Sequence, residues 1–398
     1  MSLCLNFKKF IALLLSLVIL FSLIPAGALA AELEKAPLQI AVMSDIHYYA
    51  QSQMGSRGDA WQKYCKMVSR QFDQSQALVD SALTAIAKHA EENNCKYVLI
   101  PGDMTKDGEY EGHKELAQRL ELFEEETGIQ VLVTNGNHDI NNSGASTFIN
   151  DKEEPARKTS PEEFREIYKN LGFDLAHSFY TPPAGQKAGM LSYSVRLEGG
   201  YRLLVLDVCK YSADSSSSGR DEHETAGNIT PGLWAWVEGQ MAEAKAAGET
   251  VIGMMHHNAV KQFGVQESMF QTFVVDNWME TAERLADGGM KFVFTGHTHM
   301  TNIAAHTSDN GNMLVDCQSP SLTGFPNHFR EVLFDNTGLN PKAEFKTFDV
   351  DCVKQITTPS KTFEKPYIYN FSFGQTYGHD GLARFGADMA EGYLGGYL

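Results

Sequence analysis

The chain has 398 residues, enough for one large domain with an appendage or two ordinary domains, and enough to bury a sizeable core. Hydrophobic residues make up 43% and charged residues 21%, a globular balance that excludes wholesale disorder. The 50 acidic against 33 basic residues give a net charge of -17 with no compensating Lys/Arg-rich tract, so nucleic acid is not an expected partner and an anionic substrate must be attracted locally, most simply by metal ions.

The first element is a targeting segment. Lys8 and Lys9 precede an apolar run from Phe10 through Leu23, and Ala28-x-Ala30 forms a small-residue cleavage site. Residues 1–30 therefore read as a secretory signal peptide, with an uncleaved membrane anchor as the alternative. The expected location is secreted or extracytoplasmic, with retention at the cell surface left open and no stable membrane insertion after cleavage. Cys65, Cys95, Cys209, Cys317 and Cys352 are scattered and odd in number, which indicates neither a disulfide scaffold nor a zinc knuckle.

Leu38 to Asp45 reads as a buried strand, followed by Ile46-His47 and an irregular polar loop from Tyr48 to Arg70. Helical spacing of apolar residues predicts a helix over 72–93, a strand over 96–101 ending in Gly102-Asp103, and a helix over 109–126 stopped by Gly128. The strand Ile129 to Val133 leads into Thr134-Asn-Gly-Asn-His-Asp-Ile140. Two successive β-α-β units argue for a parallel sheet covered by helices. Residues 141–189 break this pattern and contain one short helix over 161–170. A hairpin over 191–197 and 202–208 turns through Gly199-Gly200. A helix follows from Thr230-Pro231 to Ala247, then a strand over 250–255 ending in His256-His257, a helix over 268–286 and a strand over 291–295 ending in Gly296-His297-Thr298-His299. Four short strands, over 302–307, 312–316, 330–334 and 344–350, are expected to complete a second sheet packed on the first. The catalytic domain is taken as 38–350, and 351–398 as an extension without clear periodicity.

Five strand ends thus offer Asp45-x-His47, Gly102-Asp103, Gly136-Asn137-His138-Asp139, His256-His257 and Gly296-His297-x-His299. Oxygen donors mixed with imidazoles suit Mn, Fe or Zn better than Ca or Mg. In an extended strand, Asp-x-His and His-x-His each place both side chains on one side, because the side-chain period is two. Glycine before Asp103, Asn137 and His297 allows a sharp turn or a close approach. Seven ligands exceed what one zinc takes and match two metals sharing a carboxylate. Each motif alone has a plainer reading as a strand cap or turn; their recurrence at successive strand ends favours a common site.

From about Leu38 to His299 these motifs, in order and spacing, resemble the calcineurin-like metallophosphoesterase superfamily. The resemblance implies an α/β (α+β) four-layer sandwich of two mixed β-sheets flanked by helices. It also implies that Asp45, His47 and His299 hold one divalent metal, that Asn137, His256 and His297 hold the other, and that Asp103 bridges them. His256 is preferred to His257 because the family ligand stands first after the strand. His138 takes the acid-base role, with Asp139 expected to orient it, and Asp107 and His113 are outer candidates. Tyr48, Phe325 and His328 are candidates for substrate contact. Two metals roughly 3.5 to 4 Å apart would activate a shared hydroxide for attack on phosphorus, while His138 protonates the departing oxygen.

Among the subclasses, purple acid phosphatases carry a tyrosine three residues after the bridging Asp, where this chain has Lys106. Secreted 5'-nucleotidases need a C-terminal domain larger than the roughly one hundred residues that follow His299. The stretch Gly102 to Gly108 and the stretch Gly136 to Ile140 are similar to those of bacterial class III cyclic-nucleotide phosphodiesterases. The expected substrate is therefore a small phosphodiester. The alternatives are a broad-specificity phosphomonoesterase and a catalytically silent metal-binding scaffold.

Overall fold

The computed structural model describes residues 35–211, 223–338 and 342–350. The expected signal peptide and the extension 351–398 lie outside the described residues. In chain order come β1 (Leu38–Val42), α1 (Asp59–Met67), α2 (Ser75–Asn93), β2 (Tyr97–Pro101), α3 (Tyr110–Thr127) and β3 (Gln130–Thr134). A small ribbon of β4 (Ser146–Thr147) and β5 (Glu154–Pro155) precedes α4 (Pro161–Ile167), β6 (Ser178–Phe179), β7 (Tyr193–Leu197) and β8 (Tyr201–Leu206). After a second ribbon, β9 (Cys209–Tyr211) with β10 (His223–Gly227), the chain forms α5 (Pro231–Ala247), β11 (Thr250–Met255), α6 (Gln266–Met269), α7 (Trp278–Gly288) and β12 (Met290–Thr295). It ends in β13 (Asn302–Thr307), β14 (Met313–Gln318), β15 (His328–Asp335) and β16 (Lys342–Asp349).

These strands build two mixed sheets. The first has the order β16-β15-β1-β2-β3, and the second the order β13-β14-β12-β11-β8-β7-β6. In the first, β1, β2 and β3 are parallel; in the second, β8, β11, β12 and β14 are parallel. All five residues of β2 are buried, as expected of a strand covered on both faces. Alternation along the strands separates the layers. Leu203, Val205, Ile252, Met254, Phe292 and Phe294 enter the core shared with the first sheet. Leu204, Leu206, Val251 and Val293 instead meet Leu233, Val237 and Met241 of α5 and Leu285 of α7. On the first sheet, Phe334 lies against Phe292 and Phe294 of the second, while neighbouring Glu331 turns to His89 and Asn93 of α2. Helix, sheet, sheet and helix are therefore stacked in four layers, the α/β sandwich expected.

Local chemistry explains most boundaries. Helix α5 starts where the Thr230 side chain accepts from Leu233 N with Pro231 in the first turn, and stops at Gly248 in the left-handed region. Helix α4 carries a capping box between Ser160 and Glu163.

The structure departs from expectation in three places. The loop from Tyr48 to Arg70 contains α1, of which only Trp61 is buried, so its apolar period is too thin to read. The single helix over 268–286 is instead two, α6 and α7, broken where Asn277 takes a positive φ of 53°. Of the four terminal strands, β13 and β14 complete the second sheet, whereas β15 and β16 return to the first and flank β1. No described helix is long and apolar enough to cross a membrane.

Candidate metal centre

Strands β1, β2 and β3 of one sheet and β11 and β12 of the other all end at the same rim, where open α/β sheets place their ligands. The two sheets meet there directly, since His256 Nδ1, just beyond β11, lies 2.8 Å from the carbonyl of Pro101 at the end of β2.

The backbone that presents the side chains is not extended. Strand β1 ends at Val42 and β12 at Thr295, short of the motifs that follow them. Asp45, His47, Asp103, His297 and His299 have φ values of 48°, 45°, 50°, 73° and 58°. The reading of Asp45-x-His47 and His297-x-His299 as strand pairs is thus corrected: each side chain is aimed by its own left-handed turn. Ten non-glycine residues with positive φ are described, and these five are half of them. Such conformations cost roughly 1 to 3 kcal/mol each and persist where surrounding structure over-determines them. Glycine serves close approach here. A Cβ on Gly136 would stand 2.1 Å from Asp103 Oδ1, and one on Gly296 would stand 2.2 Å from Ser44 Oγ and 2.3 Å from Asp45 Oδ2.

Two donor groups result, and they share Asp103. In the first, His47 Nε2 and His299 Nε2 are 3.2 Å apart, His299 Nε2 is 3.3 Å from Asp45 Oδ1, and His47 Nε2 is 3.6 Å from Asp103 Oδ2. In the second, His256 Nε2 lies 3.1 Å from His297 Nδ1, 3.1 Å from Asn137 Oδ1 and 3.3 Å from Asp103 Oδ2. His297 Nε2 is 3.3 Å from the carbonyl of Thr272. Carbonyl oxygens only accept, so the nitrogens that face Pro101 and Thr272 carry the protons. The two nitrogens that face each other then present lone pairs, with further lone pairs from Asn137 and Asp103 around them. A cation between them resolves that crowding, and the mixed oxygen and imidazole donor set fits a divalent transition metal. Burial lowers the His256 pKa, but the Asp103 carboxylate outweighs it and pushes the value up to about 9. A proton on His256 and a cation beside it are alternatives, so metal uptake would release that proton.

All seven sequence-predicted ligands, Asp45, His47, Asp103, Asn137, His256, His297 and His299, are brought together. His257 is not, because its Nε2 turns away to the carbonyl of Thr225. His138 stands beside the two groups, its Nε2 4.0 Å from Asp103 Oδ2 and its backbone N donating to Asp103 Oδ1 at 3.0 Å. Its Nδ1 donates to Asp107 Oδ1 at 2.7 Å. The expected orienter, Asp139, is corrected: its carboxylate accepts from the backbone N–H groups of Gly136, Met104 and Thr105 and so ties the two turns together. Asp107 in turn is held by buried Lys106, which also reaches Glu109 and the carbonyl of Gly144. Burial, outweighed by the Asp103 and Asp107 carboxylates, leaves the His138 pKa raised. Burial and the nearby Asp103 charge push the Asp139 carboxyl up to about 7.

His113 bridges Thr105, the Asp139 carbonyl and Tyr168 without facing the donor groups. Of the substrate-contact candidates, Tyr48 is wholly buried with its hydroxyl accepting from Arg119, and His328 pairs with Asp349 at 2.6 Å. Phe325 stands exposed. Sequence reading missed the segment after β14: Ser321 Oγ donates to the Asp45 carbonyl and Leu322 N to that of Ser44, and no motif signals either contact.

A family model described as calcineurin-like phosphoesterase matches residues 38–301. No curated protein matches the sequence. Among solved structures, a dimetal phosphatase from Danio rerio is similar over 79% of this chain and 99% of its own, at 12% identity and a TM-score of 0.50. The phosphopantetheinyl hydrolase of Mycobacterium tuberculosis matches over 73% and 91%, at 12% identity and a TM-score of 0.32. Vacuolar protein sorting 29 from Cryptosporidium parvum matches over 79% and 98%, at 9% identity and a TM-score of 0.24. At 12% identity, the first is a likeness of fold.

Proposed function

The chain belongs to the calcineurin-like phosphoesterase family, and from that premise we propose that it is an extracytoplasmic dinuclear-metal enzyme that hydrolyses a small phosphodiester. The observation that carries this reading is the pair of donor groups sharing Asp103. Asp45, His47, Asp103 and His299 would hold one cation, and Asp103, Asn137, His256 and His297 the other; Mn, Fe and Zn all suit these donors. Bound there, two divalent cations supply Lewis-acid charge that activates water and polarises phosphoryl oxygens.

The chain's own residues do the rest. Asp107 only accepts, so it fixes the Nδ1 proton of His138 and turns Nε2 toward the donor groups. From that position Nε2 delivers a proton to the departing oxygen as general acid. The general acid His138 is 22% exposed and the candidate ligand His299 24%, while the remaining six candidate ligands are buried, so substrate reaches the centre from their side.

The diester preference rests on the similarity of the stretches Gly102 to Gly108 and Gly136 to Ile140 to those of class III cyclic-nucleotide phosphodiesterases. Export rests on the Lys8-Lys9, apolar run and Ala28-x-Ala30 pattern, and the catalytic domain is assigned to 38–350. The test is hydrolysis of bis-p-nitrophenyl phosphate by the mature protein loaded with Mn, beside a panel of monoesters and diesters and an elemental analysis. Two bound metals with diester cleavage support the reading. Monoester cleavage alone redirects it to a phosphomonoesterase, and two bound metals with no turnover to a silent scaffold.

A further inference from the structure

Arg70 lies just before Phe72, whose ring stands edge-on to His47 with 6.3 Å between ring centres. Its backbone pairs antiparallel with Gly324, and the next residue, Gln71, donates its N–H to the Thr323 carbonyl at 2.8 Å. The segment it pairs with is itself fixed to the first metal motif through Ser321 to the Asp45 carbonyl at 2.8 Å and Leu322 to the Ser44 carbonyl at 2.9 Å. The arginine is therefore carried on a backbone locked to Asp45 and His47.

Among the described residues the Arg70 guanidinium makes neither a hydrogen bond nor an ion pair, whereas nearby Arg57 takes Asp73. Its positive charge acts on His47, His138 and His299, and the last two are the residues that open the centre to solvent. Once two divalent cations outweigh the carboxylates of Asp45 and Asp103, an unpaired guanidinium at this mouth adds to an excess of positive charge. An oxyanion with several acceptor oxygens is the ligand that relieves it, since the guanidinium fork matches phosphate geometry.

We propose that Arg70 binds a non-bridging phosphoryl oxygen of the substrate, and of the phosphate product, on the open side of the centre beside His138 and His299. The proposal rests on the phosphoesterase reading above. It is tested by calorimetric titration of inorganic phosphate into the Mn-loaded protein, as wild type, Arg70→Ala and Arg70→Lys, with metal content and thermal midpoint measured on each. Arg70→Ala is expected to weaken phosphate about ten- to a hundredfold while keeping both metals. Arg70→Lys restores part of the loss, because it keeps the charge without the fork. Equal phosphate affinity in wild type and Arg70→Ala overturns the proposal, and so does loss of metal or a lowered midpoint in Arg70→Ala, which would make the residue part of the scaffold. Wild type that holds two metals yet neither binds phosphate nor cleaves the diester sinks the phosphoesterase reading itself. Diester cleavage with unchanged phosphate affinity sinks Arg70 alone.

Discussion

Three neighbouring side chains, Asn137, His138 and Asp139, point to three different tasks, and single substitutions separate them. His138→Ala is expected to slow diester hydrolysis about 100- to 10,000-fold while leaving two metals bound, read by rate and elemental analysis. Asp107→Asn, which weakens the hold on Nδ1 and also removes the charge that pairs with Lys106, should lower the rate about 10- to 100-fold. Asp139→Ala removes the acceptor of three backbone N–H groups and should appear first in stability, by about 1 to 3 kcal/mol in a urea titration. If Asp139→Ala slowed turnover more than Asp107→Asn at equal stability, the assignment of the orienter to Asp107 would be wrong. The identities of the candidate ligands were legible in the sequence because Asp, Asn and His recur just past successive strand ends, with Asp103, Asn137 and His297 directly after glycine. The partner of His138 was not legible, since it comes from the turn after a different strand and only the fold brings Asp107 to it.

At the level of strands and turns, the centre depends on backbone approach as much as on donors. Gly136→Ala would push a methyl into Asp103, the carboxylate common to both groups, so metal affinity should fall at least about tenfold in a titration while the fold persists. Asp316 of β14 supports the segment after β11: it accepts from Ala259 N at 2.7 Å, Val260 N at 2.9 Å and Thr295 Oγ1 at 2.6 Å. Burial dominates over these bonds and pushes its carboxyl up to about 7. The native state then holds a proton that the unfolded chain, with an ordinary value near ~3.9, has released. Stability from this group is complete at low pH and is lost as pH rises through about 7, an upper bound of order 4 kcal/mol. Asp316→Asn should flatten the rise in unfolding free energy seen on acidifying from pH 7 toward pH 5; an unchanged slope would exclude Asp316 as its source. Strands such as β2, β11 and β12 could be read because buried parallel strands are nearly continuous apolar runs. Helix α1 could not, because a single core-facing Trp61 sets no period.

For the molecule as a whole, the centre exists only where two sheets meet, so metal should report on the entire fold. Each cation bound by the native state alone adds about 2.7 kcal/mol at a free concentration one hundred times its Kd, and a chelator should lower the melting temperature accordingly. The strained left-handed turns add to that dependence, since bound cations would hold the side chains those turns present. The sandwich was legible from two β-α-β units followed by a second group of strands, but which sheet the last strands join was not, because alternation specifies a strand and not its neighbour. Strand β1 lies between β2 and β15, and Gln39 of β1 meets Glu331 of β15 across 292 residues of chain. Closing so long a loop is slow, and until it closes one edge of β1 stays unpaired. Newly made or refolding chains would therefore pass through a stage in which the strand that leads into Asp45 and His47 can join a second copy of itself. Recovery on refolding should accordingly fall with protein concentration, long before any catalytic residue is at fault.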